Sequence, residues 1–371
     1  KLTVYADAGN HTGFEKVQRG VLTHLQDRYN IVVMGIGYHG QPDIPYPYPV
    51  YPASTTDNDL FGVETYFTII KKRKPDLIWL FQDLWNILKY QVLTPVDIPV
   101  AIYYPVDTPN MKWQYGLATG AAASVGTYTP FGARETAAGI QDFWTLLNDT
   151  AAAHGTDVNQ PMYSMNIDHP MGGKLWTRMD RLNRYQNPEN YHIIPHGLNT
   201  ALFPPMNKVD CREEFSIPQN AFVVLNVNTN QYRKRQDLTI RAFAELAKHA
   251  PNAILVLHCF GAIIHGYDLG QLARYYGISD KVILIHEQQP DLTDQQLNML
   301  YRTADVQINT AGGEGWGLPS FEGAACGLPQ LVPDWSATRG LWKDHGILLP
   351  VKEYRSEVKH ANTMHAEISV K

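Results

Sequence analysis

The chain has 371 residues, of which 44% are hydrophobic and 18% charged, and its formal net charge is −5. That length exceeds one ordinary core and suits two domains, and the composition is typical of a soluble globular protein. The acidic balance argues against nucleic-acid binding, because no broad basic surface is implied. No run reaches the roughly 18 apolar residues of a membrane span, and no signal peptide opens the sequence, so we expect a cytoplasmic protein.

The first half of the chain alternates between short apolar runs and stretches with helical periodicity. Strands are predicted at residues 2–6, 31–35, 76–81, 100–104 and 124–128, with helical patterns at 17–25, 60–72 and 130–140. The turn after the first strand, residues 8–13, is rich in small residues and lies where βαβ units bind ligands.

Two stretches between these elements allow more than one interpretation. Residues 46–52 contain three prolines, which excludes a central strand and favours an extended surface loop. Residues 57–59 read Asp-Asn-Asp, which could hold a divalent metal but more simply caps the helix that follows. The basic run Lys71 to Lys74 suits the C-terminal end of that helix, and a membrane-surface patch is the alternative.

Asp107 follows the strand at 100–104, at the carboxyl edge of the predicted sheet, where open α/β folds place their ligands. It is a candidate polar group on the acceptor side. The simpler alternative is a loop aspartate that bonds to its own backbone. Residues 141–188 then interrupt the alternation, and an insertion of this length could shape an acceptor site or a contact between subunits.

A second alternation begins near residue 191. Strands are predicted at 191–195, 222–227, 254–258, 282–285, 304–310, 330–333 and 347–350, with a helix at 237–248. Arg233 and Lys234 lie between the strand at 222–227 and that helix, and they could neutralise a diphosphate; we prefer them to Arg235 for this role. The alternative is that these basic side chains lie in a loop, exposed to solvent, and bind no ligand.

A glycine-rich loop at residues 312–323 joins the strand at 304–310 to a short helix. The free amides of the helix start can bind an anion, and Gly315 and Gly317 let the main chain approach it closely. Glu314 and Glu322 bracket the loop and suit hydrogen bonds from sugar hydroxyls, since a carboxylate would repel a phosphate. The alternative is that the loop only connects a strand to a helix and that its glycines serve the turn alone.

The two glutamates have seven residues between them, which include Gly-Trp-Gly-Leu-Pro, and the second is followed by Gly-Ala-Ala-Cys-Gly-Leu-Pro. This string resembles the donor-site signature of retaining nucleotide-sugar glycosyltransferases of the two-Rossmann-domain (GT-B) type, family four. The resemblance implies an α/β fold with two Rossmann-like domains of parallel sheets, at about 1–190 and 191–371, that face each other across a cleft. It also implies that Gly13 belongs to a first glycine loop facing the donor.

The mechanism implied by the resemblance is retaining transfer of a sugar from a nucleoside diphosphate to an acceptor hydroxyl, with no metal or other cofactor. Glu314 would orient the sugar and Glu322 would hold the ribose. The backbone at Gly315, Trp316, Gly317 and Leu318, together with Arg233 and Lys234, would stabilise the leaving diphosphate. The acceptor would be a saccharide, or a lipid-linked or protein-linked group.

Other functions remain open from the sequence alone. Three other kinds of protein can have the same two-domain fold. They are a nucleotide-sugar epimerase, a pyridoxal-dependent sugar phosphorylase, and a catalytically silent scaffold that binds carbohydrate or nucleotide. Relatives of the resembling family carry a C-terminal helical segment that returns to the first domain, and no such segment is expected here. The three cysteines, Cys211, Cys259 and Cys326, show no metal-ligand spacing, and we expect them to be reduced.

Overall fold

A computed structural model describes residues 1–9, 12–40, 45–54, 56, 59, 61–95, 97–109, 111, 113–120, 122–155, 181–259, 266–285, 292–357 and 363–370. The chain divides into two compact units, unit 1 at Lys1–His196 and unit 2 at Gly197–Lys371. Each unit contains one parallel sheet with helices between its strands, so the predicted α/β fold class is confirmed.

Unit 1 is a seven-stranded sheet in the order β3-β2-β1-β4-β5-β6-β7, with every neighbouring pair parallel. Its strands are β1 Leu2–Asp7, β2 Ile31–Ile36, β3 Val50–Pro52, β4 Leu77–Phe81, β5 Val100–Tyr104, β6 Ser124–Thr127 and β7 His192–Ile193. Its helices are α1 Gly13–Leu25, α2 Val63–Arg73, α3 Leu84–Leu93, α4 Trp113–Gly120 and α5 Pro130–Ala153. The strand order reverses between β1 and β4, and open α/β sheets bind ligands at such a point.

The helices of unit 1 begin where side chains satisfy their first amides. Thr12 accepts a bond from the amide of Glu15 at the start of α1, and Thr129 accepts one from Gly132 at the start of α5. Asp59 accepts bonds from the amides of Val63 and Glu64, both at 2.9 Å, so this aspartate caps α2 as predicted. The other two residues of the predicted Asp-Asn-Asp cap, 57 and 58, lie outside the described residues.

Three predictions for unit 1 need correction. Residues 46–52 are not wholly a loop, because their last three form β3 on the edge of the sheet, where a proline costs no central ladder bond. The helix predicted at 130–140 runs on to Ala153, well into the predicted insertion. The strand predicted near 191–195 shortens to β7 and pairs with β6, so it belongs to the sheet of unit 1. Residues 156–180 of the insertion lie outside the described residues.

Unit 2 is a six-stranded parallel sheet in the order β10-β9-β8-β11-β12-β13, followed by an antiparallel hairpin. Its strands are β8 Phe222–Val227, β9 Ala253–His258, β10 Val282–Leu284, β11 Val306–Ile308, β12 Gln330–Pro333, β13 Ile347–Leu349, β14 Val351–Glu357 and β15 Thr363–Ile368. Its helices are α6 Lys208–Glu214, α7 Gln236–Ala247, α8 Leu269–Tyr275, α9 Asp294–Thr303, α10 Leu318–Ala325 and α11 Ser336–Trp342. Sequence patterns did not predict the hairpin.

A buried arginine ties α6 to the start of the sheet in unit 2. Arg212 donates to the carbonyl of Gln219 at 2.6 Å, to that of Thr303 at 3.0 Å and to the Asp305 carboxylate at 3.0 Å. Asp305 also accepts from Lys208 at 2.6 Å and from the Val223 amide at 2.7 Å. Burial raises the pKa of Asp305, but these donors and cations outweigh it and hold the pKa below its ordinary value. The guanidinium therefore links α6 to the carbonyls of Gln219 and Thr303, and it shares the Asp305 carboxylate with Lys208 and the Val223 amide.

Replacing this arginine should destabilise the protein far more than removing a surface cation. We expect Arg212→Met to lower the free energy of unfolding by about 3 kcal/mol, because it takes the side-chain donor from two carbonyls and one of three donors from the Asp305 carboxylate. The control is Lys248→Met, whose partner Glu245 lies on the surface, and its cost should stay below about 0.5 kcal/mol. Urea unfolding measures both values, and equal losses would show that the buried network contributes no more than a surface pair.

Candidate functional site

Two loops of unit 2 meet at the carboxyl edge of its sheet. One follows β8 and carries the short 3₁₀ turn Tyr232–Lys234; the other follows β11 and contains the glycine-rich stretch 312–317. Because β8 and β11 pair in parallel, residues some 80 positions apart in the sequence become neighbours. The strand order also reverses here, since β9 lies on one side of β8 and β11 on the other.

A buried carboxylate and two cations form the centre of this site. Lys234 donates to Glu314 Oε1 at 2.6 Å and to Oε2 at 2.8 Å. Arg233 Nη1 lies 3.3 Å from Glu314 Oε2 and donates to the carbonyl of Gly313 at 2.5 Å. The Glu314 side chain is only 5% exposed, against 12% for Lys234 and 21% for Arg233. One negative and two positive charges thus lie together where little of their surface is exposed to solvent.

Glu314 remains ionised despite its burial. Burial by itself raises the pKa of this carboxyl, but the charges of Lys234 and Arg233 and the hydrogen bonds from Lys234 and Asn309 outweigh it, so the pKa lies below its ordinary value. Glu314 is therefore a carboxylate at neutral pH, and its oxygens act as hydrogen-bond acceptors.

The turn that carries the cations is held by buried polar groups. Arg235 adopts the left-handed conformation with φ +50°, and Thr310 donates to its carbonyl at 2.8 Å. Its guanidinium donates two hydrogen bonds of 3.0 Å to Asp237. Arg235 therefore pairs with Asp237 rather than with Glu314. The amide of Gly312 donates to the carbonyl of Arg233 at 2.7 Å and joins the two loops.

Ser336 is the first residue of α11, after β12, and it forms hydrogen bonds to the backbone of Glu314. Its hydroxyl accepts from the Glu314 amide at 3.0 Å and lies 3.2 Å from the Glu314 carbonyl, while the Ala337 amide donates to that carbonyl at 3.3 Å. Ser336 is buried and has φ +48°, a conformation that costs energy for a residue with a Cβ. Sequence reasoning missed this residue; the only available signal was its place after a predicted strand at the same sheet edge.

The glycine-rich loop ends in α10, which begins at Leu318. Gly317 precedes the helix with φ +85°, a conformation that favours glycine. Trp316 is buried and stacks on Phe321, with ring centroids 4.9 Å apart. Gly315 is buried beside it.

Glu322 lies one turn into α10 and is also buried. Tyr301 donates to its Oε2 at 2.7 Å. Burial and the nearby carboxylate raise the pKa of Tyr301 well above its ordinary value, so the phenol keeps the proton that it donates. Glu322 is thus a second acceptor group, on the helix that follows the loop of Glu314. Contact of Glu322 with a ribose remains a prediction.

The C-terminal hairpin packs on the glycine-rich loop. The Ala366 amide donates to the Gly312 carbonyl at 3.0 Å, and a Cβ at position 312 would lie 3.1 Å from His365 Nδ1. Glu367 on β15 lies 2.7 Å from Arg355 and 3.6 Å from Arg235, so the hairpin also contacts the cationic turn. A side chain at position 312 would therefore require His365 on β15 to shift by a few tenths of an ångström.

The remaining predicted site residues, Gly13 and Asp107, lie in unit 1. Gly13 is the exposed first residue of α1, and Asp107 is half-buried in the loop after β5. Burial raises the pKa of Tyr128, and Tyr103, Asp83, Asp107 and Asp7 raise it further. Asp7 ends β1, and Asp83 and Asp107 follow β4 and β5, so all three carboxylates lie on the carboxyl edge of the sheet. The predicted roles of Gly13 and Asp107 stay predictions.

Within the described part of the chain, no cluster of three or more histidine, cysteine, aspartate or glutamate side chains is arranged to hold a metal ion. No helix among the described residues is both long and apolar enough to cross a bilayer. The three cysteines are buried and free, as expected for reduced thiols.

Comparison with known proteins places the sequence signature in a family. The pattern of the family described as glycosyl transferases group 1 matches residues 208–361. A D-inositol 3-phosphate glycosyltransferase of Acidothermus cellulolyticus is 31% identical over 155 residues, which is 39% of this chain and 33% of the relative. One from Mycobacteroides abscessus is 32% identical over 150 residues, 39% of this chain and 32% of the relative. The chain therefore spans about a third of the length of these relatives.

Solved structures share the fold at low sequence identity. Sucrose-phosphate synthase from Thermosynechococcus elongatus superposes with a TM-score of 0.61 at 15% identity, over 94% of this chain and 85% of its own. HepE from Anabaena, crystallised with UDP and glucose, gives a TM-score of 0.61 at 15% identity, with coverage of 94% and 85%.

The matched segment contains both cations, Glu314 and Glu322, so the family match and the site coincide. Residues 208–361 therefore match the glycosyl transferases group 1 family, and the chain shares the fold of these solved structures, with a parallel α/β sheet in each unit.

Proposed function

We propose that this protein transfers a sugar from a nucleoside-diphosphate sugar to an acceptor hydroxyl, with retention of the anomeric configuration and without a metal ion. The observation that carries the proposal is the buried cluster of Glu314, Lys234 and Arg233 beside the start of α10. Two cations and a helix start suit a diphosphate, and an ionised carboxylate, which accepts hydrogen bonds, suits sugar hydroxyls.

The charges of the site fit a diphosphate leaving group. Negative charge grows on the diphosphate as the bond to the sugar breaks, and fixed cations stabilise that charge at no cost of reorganisation. Lys234 and Arg233 already pair with Glu314, and residues 315–318 lead from the loop into the first turn of α10. These groups supply the positive charge that a metal ion supplies elsewhere.

Glu314 suits a binding role better than that of a nucleophile. Its carboxylate has a lowered pKa and accepts hydrogen bonds from Lys234 on both oxygens, which makes it a weak base and a weak nucleophile. In our proposal it holds the sugar hydroxyls and orients the anomeric carbon. The acceptor then attacks from the face that the diphosphate leaves, and a diphosphate oxygen takes the acceptor proton.

The relatives support a transferase of this class. The matched proteins are named as glycosyltransferases acting on D-inositol 3-phosphate, and HepE was crystallised with UDP-glucose as well as with UDP and glucose. We therefore place UDP-glucose among the first donors to test and a polyol among the first acceptors. Their identity in this protein is a question for the following experiment.

The first test is a thermal-unfolding screen against UDP, GDP, ADP and their sugar conjugates, with magnesium and with a chelator. We expect one nucleotide to raise the melting temperature equally in both conditions, because a ligand at a hundred times its Kd adds about 2.7 kcal/mol to stability. NMR of the product formed from that donor should show the anomeric configuration of the donor. A shift that requires magnesium, or an inverted product, would overturn the corresponding part of the proposal.

Removing the charge of Glu314 should abolish most of the transfer. We expect Glu314→Gln to lower kcat/KM by about a hundredfold or more, because the amide neither pairs with Lys234 nor accepts sugar hydroxyls on both atoms. Glu245→Gln is the control, since it removes a carboxylate that pairs with Lys248 on the surface. Near-wild-type turnover of the Glu314 variant would sink the assignment of this loop.

Ser336 should matter to turnover through the position of Glu314. Ser336→Ala removes both contacts to the Glu314 backbone, and we expect kcat to fall by about tenfold while the stability loss stays near 1 kcal/mol. Thr303→Val is a matched variant, since it removes a buried hydroxyl that donates to the Leu300 carbonyl at 2.7 Å in α9. If both variants lose the same activity at the same loss of stability, Ser336 has only a structural role.

A further inference from the structure

Helix α2 of unit 1 has an exposed face that its packing leaves uncovered. Tyr66 and Ile70 are fully buried against the sheet, whereas Glu64, Phe67 and Lys71 are exposed. The exposed residues recur at intervals of three and four and therefore lie along one face of the helix. Phe67, in the middle of this face, is 45% exposed although it has no polar atom on its ring.

The last turn of the helix adds a concentration of positive charge to this face. Lys71, Lys72 and Lys74 are exposed, and Arg73 is half-buried with its guanidinium 4.6 Å from the ring centre of Tyr51. Tyr51 is itself 46% exposed, on the edge strand β3. We call these six residues, Tyr51, Phe67, Lys71, Lys72, Arg73 and Lys74, the α2 patch.

The carboxylate nearest to the α2 patch in the sequence, Asp76, pairs with the N-terminal amine at 2.6 Å. None of the ion pairs between described residues involves Lys71, Lys72, Arg73 or Lys74. Glu64, two turns away, is the only acidic residue of α2. The chain as a whole carries a net charge of −5, so this patch is a local reversal of the overall charge.

We propose that the α2 patch docks on a membrane surface that contains anionic lipids. Anionic headgroups complement four clustered cations, and each lysine or arginine near such a surface contributes about a fivefold gain in partitioning. Aromatic side chains favour the interface between headgroups and acyl chains, which accounts for the exposure of Phe67 and Tyr51. The convex face of a helix suits a deformable lipid surface better than an acidic peptide, which needs a groove.

The position of the patch leaves the ligand edge of unit 1 open. Helix α2 ends just before Leu77, where β4 begins, so its basic end lies by the amino ends of the strands. The carboxylates Asp7, Asp83 and Asp107 lie at the opposite, carboxyl edge. Docking through the α2 patch therefore brings the basic edge, and not the acidic edge, to the anionic surface.

The test is sedimentation of the full chain with vesicles of phosphatidylcholine, alone or mixed with an equal amount of phosphatidylglycerol. We expect binding only to the mixed vesicles, weakening with salt, and a fall of about thirtyfold or more in the double variant Lys71→Glu and Lys72→Glu. The matched control changes the same charge in unit 2, with Lys343→Glu and Lys352→Glu, both at exposed positions. It should lose much less binding.

A second variant keeps the proposal falsifiable if the charge reversal unfolds the chain. Phe67→Ser should lower binding to the mixed vesicles at unchanged salt dependence, because it removes only the apolar contact. Wild-type protein that stays in solution with the mixed vesicles, or equal losses in the double variant and its control, would overturn the proposal. So would preferential binding of a single-stranded oligonucleotide at the same phosphate concentration, which would make the α2 patch a nucleic-acid surface.

Discussion

A carboxylate buried away from water must be paired or it takes up a proton, and this constraint organises unit 2. Glu314 is 5% exposed and remains charged because Lys234 and Arg233 lie against it. Those cations come from the loop of the neighbouring strand, so the site exists only where β8 and β11 pair in parallel. The sheet order, the turn after β8 and the glycine-rich loop together bring the two cations next to Glu314.

The turn that presents the cations depends in its own way on buried polar groups. A chain of hydrogen bonds runs from Asn226 on β8 through Thr239 on α7 to Thr310 after β11, with each link at 2.8 Å. Thr310 also lies 2.8 Å from the carbonyl of Arg235, whose left-handed conformation reverses the chain. Each bond contributes about 1 kcal/mol net, but an unmade one at such depth costs more. This hydrogen-bond network therefore fixes the position of the turn that carries Arg233 and Lys234.

Unit 1 carries three carboxylates at one edge of its sheet and the α2 patch at the other. Asp7 ends β1 and Asp83 and Asp107 follow β4 and β5, whereas the C-terminal end of α2, by the amino edge, carries the four cations of the α2 patch. Parallel strands with antiparallel return helices produce this separation, because strand ends and helix ends alternate along the chain. In this architecture a surface contact and a ligand edge can operate within one unit without competing.

The sequence by itself determined the alternation of strands and helices, the two parallel sheets and the glutamates of the glycine-rich loop, because apolar periodicity and glycine placement are local signals. It also pointed to Arg233 and Lys234, though not to their pairing with Glu314. Only the tertiary structure decided that pairing, the clamp by Ser336 and the hairpin over Gly312. These depend on strand order and on single backbone angles, which join residues distant in sequence and leave no periodic trace in it.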